Sequence, residues 1–330
     1  MAFDILAIGD PVIDCFIRLK DAKVHCNINT EDCELCVKFG QKIPFEFALE
    51  VPAVGNAANA ATACARLGLT SAFLGSVGDD ARGQQVIDTF AKNGVQTEYI
   101  VKEAGKTTNY HYVLWYESER TILIKHEHFT YKLPSLREMP AWIYLSSLGE
   151  GTESYQHEIA AFAKTNNIKL AFQPGTFQIK LGVGELKDLY SGAEIFFCNK
   201  EEAQTILKSE EHDFKILLEG IHALGPKIVI ITDGRNGSYA RETDGRVWHS
   251  PMYPDPKPPV ERTGAGDATS STTVAYLQKG MTLGESLLRG LINSAYVVQE
   301  IGAQKGLLTP DQIEDFWTKR PADFKATPLS

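Results

Sequence analysis

Short apolar runs alternate with helix-like segments along most of this chain. Three segments of helical character lie between the runs, at residues 82–93, 154–165 and 200–208. Strand–helix–strand order of this kind predicts right-handed crossovers and a largely parallel, doubly wound sheet. The runs that we interpret as strands of this sheet are residues 5–8, 72–77, 142–148, 170–172, 195–198 and 228–232.

Length and charge limit the class of protein. The chain has 330 residues, of which 43% are hydrophobic and 23% charged, so one large α/β domain with a small appendage is expected. Its formal net charge of -9 argues against nucleic acid or an anionic membrane surface as the main partner. No apolar run is long enough to cross a bilayer, and residues 1–4 lead into a strand rather than a signal peptide. We therefore expect a cytoplasmic protein that binds a small molecule.

The six cysteines follow no regular spacing, so reduced thiols are expected rather than a disulfide framework. Three of them lie in apolar runs and are interpreted as small core residues: Cys15, Cys64 and Cys198. His25, Cys26, Cys33 and Cys36 lie close together in the sequence, but only the last two have the spacing of metal ligands, and no second pair follows. A structural zinc site is therefore not predicted here.

A loop of small residues precedes a carboxylate in the stretch 260–277, which reads VERTGAGDATSSTTVAYL. A helix is predicted to begin near Ala265, and its first N–H groups have no partners within the helix. Because Gly264 and Gly266 carry no side chains, an anion can approach these groups closely. If the anion is a phosphoryl group in transit, Asp267 can accept the proton of an attacking hydroxyl group. The alternative is an ordinary turn in which Asp267 only caps the helix.

Polar side chains suited to ligand hydroxyl groups occur near the start of the chain. Asp14 is a single carboxylate among apolar neighbours, and it is either a solvated edge residue or a sugar ligand. Gly55, Asn56 and Asn59 begin an alanine-rich helix, where the asparagines either cap the helix or turn their amides toward a ligand. Open parallel sheets bind ligands at the carboxyl ends of their strands. The residues at those ends are further candidates: Ser147, Gly149, 173–175, 199–202 and 233–234.

Two segments fall outside the strand–helix pattern. Residues 42–49 alternate apolar and polar side chains, as expected for a strand with one buried face. Residues 107–115 and 119–128 are predicted to form a hairpin. His126 and His128 are expected to be exposed on that hairpin, so we do not assign them to the site.

Two longer motifs lie in the order and separation typical of one enzyme family: VGNAANAATACARLG at residues 54–68 and ERTGAGDA at residues 261–268. Three shorter motifs support them, namely GSVGDDARG at 75–83, NKEE at 199–202 and TDGRNGSYA at 232–240. Through these motifs the chain resembles the ribokinase family, also called the PfkB carbohydrate kinases. The likeness covers essentially the whole chain.

The resemblance implies a ribokinase-like α/β fold, a three-layer α/β/α sandwich with a mostly parallel central sheet and a small β-structured lid. We predict that residues 15–52 and 104–129 contact each other and form the lid. The core kinase domain is then expected to comprise residues 1–14, 53–103 and 130–330.

Catalytic roles follow from the resemblance, residue by residue. Asp267 matches the catalytic base of the family, and residues 264–266 match its anion hole. Asn199 and Glu202 match residues that organise the magnesium ion and the phosphates, with Glu202 acting on the metal indirectly. No Walker A sequence is present, so the resemblance implies a kinase that uses the small-residue loop instead.

Binding roles follow in the same way. The resemblance places the acceptor's hydroxyl groups on Asp14, Gly55 and Asn59. It places the nucleotide on Thr232 and Gly234, with the adenine near Asn293.

The chain departs from the family pattern at two points. It has Val54-Gly55 where the family commonly has two glycines, which narrows the expected acceptor pocket. It has Glu261-Arg262 where the family usually has Asp-Thr, and in related enzymes that acid belongs to a monovalent-cation site. The longer Glu261 leaves potassium activation open, and Arg262 either supplies charge near the phosphates or lies at the surface.

We therefore expect an ATP-dependent and Mg²⁺-dependent kinase of a small polyhydroxylated acceptor, with a sugar favoured. A nucleoside kinase is the alternative, because four aromatic side chains of the expected lid are suited to stacking on a base: Phe16, Phe45, Phe47 and Tyr112. The same side chains equally suit a homodimer contact through the lid. A third alternative is a non-catalytic sugar- or nucleotide-binding regulator, which would have no need of a base at Asp267.

Overall fold

The structure is a computed structural model that describes residues 3–26, 33–117 and 119–329. Its strands are β1 Ile5–Ile8, β2 Val12–Leu19, β3 Lys23–Cys26, β4 Cys33–Cys36, β5 Phe45–Val54, β6 Ser71–Gly78, β7 Gln96–Glu103, β8 Tyr110–Tyr116, β9 Glu119–Leu123, β10 Trp142–Ser146, β11 Lys169–Gln173, β12 Ala193–Asn199, β13 Ile228–Thr232, β14 Ser238–Arg241, β15 Val247–Ser250 and β16 Thr327–Pro328. Its α-helices are α1 Asn56–Arg66, α2 Ala81–Lys92, α3 Glu153–Thr165, α4 Thr176–Leu181, α5 Lys187–Gly192, α6 Lys200–Leu207, α7 Phe214–His222, α8 Ala265–Gln278, α9 Leu283–Val297 and α10 Pro310–Thr318.

Ten strands form the central sheet, in the order β16-β15-β14-β13-β12-β11-β10-β1-β6-β7. The strands from β13 to β7 in this order run parallel, and β14, β15 and β16 pair antiparallel at one edge. Every apolar run that the sequence predicts as a core strand is a strand of this sheet. The carboxyl ends of its parallel strands therefore lie along one edge, where a ligand is expected.

Alternating side chains on the strands build two apolar cores. In β1, Ile5 and Ala7 face one core, and Leu6 and Ile8 face the other. Helices α1, α2, α8, α9 and α10 cover the first face, and α3, α5, α6 and α7 cover the second. Because a strand buried on both faces is apolar throughout, β1 reads as a continuous apolar run. This is the expected three-layer α/β/α sandwich.

A second sheet has the strand order β5-β2-β8-β9. Strand β2 pairs with β5 antiparallel and with β8 parallel, with Ile13 opposite Tyr110. Strand β2 thus lies between the segment at residues 42–49 and the hairpin, and backbone hydrogen bonds join it to both. The hairpin is shorter than predicted, because β9 ends at Leu123 and leaves His126 and His128 outside the strand.

Strands β3 and β4 form a small hairpin in which Cys26 and Cys33 are joined by a disulfide bond. The expectation of reduced thiols is therefore wrong for this pair, because antiparallel pairing places the two residues opposite each other. Cys15, Cys64 and Cys198 are free and buried, as predicted. Over the described ranges, no cluster of histidine, cysteine and acidic side chains is arranged to hold a metal ion. No helix within those ranges has the length and apolar character needed to cross a membrane.

Candidate active site

Helix α8 begins beside the carboxyl ends of the parallel strands. Its N-cap Gly264 has φ 79°, and a Cβ atom there would lie 2.3 Å from the Cβ atom of Ala303. Only glycine meets both conditions, since other residues are strained in this backbone region. The loop can therefore turn tightly and leave the first N–H groups of α8 open to a ligand.

Asp267 lies in the first turn of α8 and is only 9% exposed. Its carboxylate accepts hydrogen bonds from the side-chain amides of Asn59, at 2.7 Å, and Gln173, at 2.9 Å. Burial raises the pKa of Asp267, and these two hydrogen bonds oppose that rise. A raised pKa makes the carboxylate a stronger acceptor for a proton, as a general base requires.

Both amides are held with their NH₂ groups toward Asp267. The oxygen of Asn59 accepts from the side chain of Gln304 at 3.0 Å. The oxygen of Gln173 accepts from the hydroxyl groups of Tyr144 and Ser270. Asn59 therefore orients the carboxylate, and it also lines the cavity in which the sequence interpretation places the acceptor.

Two cavities flank the start of α8, and they share this helix as a wall. We call the first the small-residue cavity, which is lined by Thr232, Gly234, Gly237, Ala265, Gly266 and Ser294 among others. We call the second the acidic cavity, which is lined by Asp10, Asp14, Asn59, His111, His126 and Asp267 among others. The loop thus presents Ala265 and Gly266 to one cavity and Asp267 to the other.

The small-residue cavity contains two of the three residues expected to contact the nucleotide. Thr232 and Gly234 lie at the end of β13 and line it. Arg262 lines the same cavity, so a guanidinium group borders the space in front of α8. Asp255 also lines this cavity, and the N–H of Ala265 makes a long hydrogen bond of 3.5 Å to the backbone oxygen of Arg262. The cation and the start of a helix together suit an anionic ligand such as a phosphate.

Asn293 lies in the core and not in the cavity. It is fully buried, and it donates to the hydroxyl group of Thr272 and accepts from the N–H of Leu308. Its neighbour Ser294 lines the small-residue cavity instead. The sequence places Asn293 on a late helix, but it does not determine which face of that helix the residue occupies. That face depends on how α9 packs against α8.

Asn199 and Glu202 form a capping box at the start of α6. The Asn199 side chain accepts from the N–H of Glu202 at 2.8 Å, and the Glu202 carboxylate accepts from the N–H of Asn199 at 2.8 Å. Burial raises the pKa of Glu202, and the negative charge of Asp267 raises it further. The two residues line neither cavity directly.

Asp10 is a buried carboxylate at the base of the acidic cavity. It accepts hydrogen bonds from the N–H of Gly149 at 2.8 Å and from the hydroxyl group of Tyr131 at 2.9 Å. Burial raises its pKa to about 6, although both hydrogen bonds lower it. Maintaining a carboxylate here costs folding free energy, and such costs concentrate at functional sites.

Asp14 and His111 from the second sheet line the acidic cavity, together with His126 from the segment that follows β9. The Nδ1 atom of His111 lies 3.3 Å from the Oδ1 atom of Asp14, and the Nδ1 atom of His126 lies 3.9 Å from Asp10. Burial lowers the pKa of His126 to about 4, and the charge of His111 contributes to this shift. His126 is therefore neutral at pH 7, so its contact with Asp10 is not an ion pair.

Three polar atoms of these side chains are buried without a hydrogen-bond partner among the described residues: Asp14 Oδ1, His111 Nε2 and His126 Nδ1. Buried polar atoms are nearly always hydrogen-bonded in folded proteins. Because all three residues line the acidic cavity, a polyhydroxylated ligand could supply the missing partners.

Gly55 and Asn56 also line the acidic cavity. Gly55 has φ 107°, and a Cβ atom there would lie 2.9 Å from the backbone oxygen of Asp10. The glycine therefore allows α1 to begin against the strand end that carries Asp10. The amide oxygen of Asn56 accepts from the hydroxyl group of Ser147 at 3.0 Å, which joins the start of α1 to one of the predicted strand-end positions.

The sequence interpretation missed Asp10, His111 and His126. Asp10 follows the buried strand β1, so the rule for strand ends applies to it as well. The sequence interpretation left His126 out of the site because it expected the residue on an exposed strand. Strand β9 instead ends at Leu123, and His126 lines the acidic cavity. No sequence signal distinguishes His126 from the exposed His128.

The chain is similar to known proteins in both sequence and fold. A family model described as pfkB family carbohydrate kinase matches residues 22–310. Ribokinase of Bacillus subtilis is 25% identical over 268 residues, covering 79% of this chain and 86% of the relative. Fructoselysine 6-kinase of Escherichia coli is 24% identical over 251 residues, covering 76% of this chain and 90% of the relative.

Solved structures show the same fold. Ribokinase of Arabidopsis thaliana, complexed with ribose and ATP, superposes with a TM-score of 0.80 at 18% identity, over 96% of this chain and 98% of that one. The nucleoside kinase of Methanocaldococcus jannaschii superposes with a TM-score of 0.76 at 18% identity, over the same shares. With a family match over most of its length and this fold, the chain belongs to the pfkB family of carbohydrate kinases.

Proposed function

We propose that this protein is an ATP-dependent kinase that transfers the γ-phosphoryl group to a hydroxyl group of an unphosphorylated sugar. The observation that carries the proposal is the position of Asp267 in the acidic cavity, directly after Ala265 and Gly266, which line the small-residue cavity. Asn59 and Gln173 hold its carboxylate there. One cavity suits the nucleotide phosphates and the other suits the acceptor, so the base lies where the two substrates meet.

The transfer step follows from this arrangement. Asp267 accepts the proton of an acceptor hydroxyl group as the hydroxyl oxygen forms a bond to the γ-phosphorus. The bond from the γ-phosphorus to the bridging oxygen breaks, and ADP leaves with the electron pair. The N–H groups at residues 264–266 stabilise the charge that develops on the phosphoryl oxygens.

Asn199 and Glu202 fit the magnesium ion that the family implies. A carboxylate whose pKa is raised by burial and by Asp267 is stabilised by a nearby cation, and Glu202 is in this state. Magnesium supplies charge neutralisation of the phosphates when it is bound. We propose that Glu202 acts on the metal indirectly, because its carboxylate already accepts from the N–H of Asn199.

The charge of the acidic cavity favours an acceptor without a phosphate group. Asp10, Asp14 and Asp267 line it, and among the described lining residues there is no lysine or arginine. A phosphorylated acceptor would meet like charges in a buried setting, which costs several kcal/mol. A neutral sugar instead supplies hydroxyl groups that donate to the carboxylates and accept from the imidazoles.

A nucleoside is the second candidate acceptor. Phe177 and His126 line the acidic cavity as an edge-to-face pair with ring centroids 5.5 Å apart, which is a surface on which a base could stack. None of the four lid aromatics named from the sequence lines this cavity, and Phe16 is buried. A non-catalytic binding role is disfavoured, since a binder has no use for a carboxylate held ready beside the transfer position.

The test is a thermal-shift screen of neutral sugars, phosphosugars and nucleosides in the presence of a non-hydrolysable ATP analogue, followed by an assay of ADP release with each ligand that binds. A ligand at a hundred times its dissociation constant stabilises the folded state by about 2.7 kcal/mol, which a melting curve detects. The proposal expects the neutral sugars to give the largest shift. A response restricted to phosphosugars, or binding without ADP release, would contradict it.

A further inference from the structure

An arginine of the second sheet reaches the loop that begins α8. Arg120 lies on β9, and its Nη1 atom is 3.5 Å from the Oε2 atom of Glu261. Glu261 is 6% exposed, whereas the Arg120 side chain is 30% exposed. A buried carboxylate at the active-site loop is thus neutralised by a cation from a separate part of the fold.

Glu261 is also held by donors of its own loop and of the neighbouring segment. Its Oε1 atom accepts from the N–H of Gly302 at 2.8 Å. Its Oε2 atom accepts from the N–H of Thr263 at 2.9 Å and from the Thr263 hydroxyl group. Both carboxylate oxygens therefore face hydrogen-bond donors, and the guanidinium group adds positive charge at one of them.

This donor set does not fit the potassium ion that the family resemblance raises for this position. Alkali cations are bound by oxygen atoms with free lone pairs, but N–H groups of Gly302 and Thr263 point at the oxygens of Glu261. A guanidinium group 3.5 Å from the same carboxylate repels a second cation as well. The residues present thus disagree with a bound monovalent cation at Glu261.

We propose that the Arg120 guanidinium takes the place of a monovalent cation at Glu261, so that the kinase needs no potassium. The ion pair connects the loop that precedes Gly264 with β9 of the second sheet. Arg120 is therefore a positioning residue, which acts on the phosphate-binding loop through Glu261 and couples that loop to the sheet bordering the acceptor. The functional part of this inference rests on the proposed kinase activity.

Removal of the guanidinium group should create a response to potassium. In Arg120→Ala the buried carboxylate loses its cation, and a potassium ion can enter the space that the side chain leaves. The measurements are the melting temperature and the affinity for MgADP, each in KCl and in tetramethylammonium chloride at equal ionic strength. The wild type should give equal values in the two salts.

Arg120→Ala should bind MgADP about threefold to tenfold more weakly in tetramethylammonium chloride, as for the loss of a partly buried ion pair, and KCl should restore most of the affinity. Its melting temperature without nucleotide should also rise in KCl relative to tetramethylammonium chloride. Arg120→Lys keeps the charge and should remain insensitive to potassium.

Arg18→Ala is the matched control. Arg18 is another arginine of the second sheet, but its guanidinium group lies over the ring of Trp115, 4.4 Å from the centroid. Stabilisation of the wild type by KCl would overturn the inference, as would an Arg120→Ala response to potassium no larger than that of Arg18→Ala. If no variant binds MgADP, the proposed kinase function fails, while the melting temperatures without nucleotide still decide the role of Arg120.

Discussion

The two cavities beside α8 are built from different parts of the residues that line them. The small-residue cavity is lined largely by small residues such as Gly234, Ala265 and Gly266, with Asp255 and Arg262 as its charged residues. The acidic cavity is formed by charged and titratable side chains such as Asp10 and His126. Phosphates can be bound by N–H groups that every residue carries, whereas the hydroxyl groups of one acceptor require side chains in particular positions.

This difference determines how much of each cavity is visible in the sequence. The tight turns at the small-residue cavity depend on a few glycines with positive φ, and these glycines appear in the sequence as compact motifs. A cavity made by side chains depends on where the second sheet places them. We therefore propose that the first cavity binds the phosphates of the nucleotide and that the second determines the acceptor.

Asp267 lies in the acidic cavity, next to the loop residues that line the small-residue cavity. Its substitution should have the largest effect on the turnover rate. Asp267→Asn removes the proton acceptor, so the turnover rate should fall by about a hundredfold to ten-thousandfold. MgADP affinity should change little, because Asp267 faces the acidic cavity. Steady-state kinetics and nucleotide titration measure the two quantities. A variant that retains more than about a tenth of the wild-type rate would exclude Asp267 as the base.

Substitution of Asp10 measures how much folding free energy a buried charge in the acidic cavity costs. The pKa of Asp10 is raised to about 6 in the folded protein from an ordinary value of 3.8, so the folded state binds the extra proton between these two pH values. Stability should therefore fall as the pH rises through this window. Asp10→Asn removes the charge and should raise the free energy of unfolding at pH 8 by about 2 to 3 kcal/mol.

Urea unfolding of Asp10→Asn and of the wild type at pH 8 and pH 4 provides this measurement. The gain should disappear at pH 4, where the wild-type carboxyl group is already protonated. A gain of equal size at both pH values would show that the charge of Asp10 is not its source.

Asp14 tests the acceptor side of the comparison. Asp14→Ala should raise the KM of the acceptor about tenfold to a hundredfold, because a hydrogen bond to a charged group contributes about 1.5 to 3 kcal/mol. The KM of ATP should remain near its wild-type value. Asp21→Ala, which removes an exposed carboxylate just beyond β2, should change neither constant. A rise confined to the KM of ATP would reverse the assignment of the two cavities.

Gly264 tests the backbone-built cavity. Gly264→Ala combines a positive φ with a Cβ contact to Ala303, and it should lower the free energy of unfolding by about 1 to 2 kcal/mol. Gly266→Ala is the control, because no atom lies within 4 Å of the added Cβ atom and its φ is not positive. Equal stability of the two variants in urea unfolding would contradict the account of the loop.

The central sheet and α8 could be predicted from the sequence because both depend on local patterns. Runs such as residues 5–8 are apolar throughout, and the glycines near Asp267 specify a tight turn. The orientation of Asn293 and the position of His126 in the acidic cavity could not be predicted, since both depend on packing between distant segments. The Cys26–Cys33 disulfide was missed for the same reason, because strand register brings the two residues together.

The central claim is that Asp267 acts as the general base when the γ-phosphoryl group passes from ATP in one cavity to a hydroxyl group in the other. The most direct measurement is ³¹P NMR of the products formed from MgATP and a neutral sugar identified in the thermal-shift screen. The account predicts a phosphate monoester of the sugar in amounts equal to ADP, and its loss in Asp267→Asn. Formation of inorganic phosphate in place of the ester, or the same ester from Asp267→Asn at an undiminished rate, would contradict it.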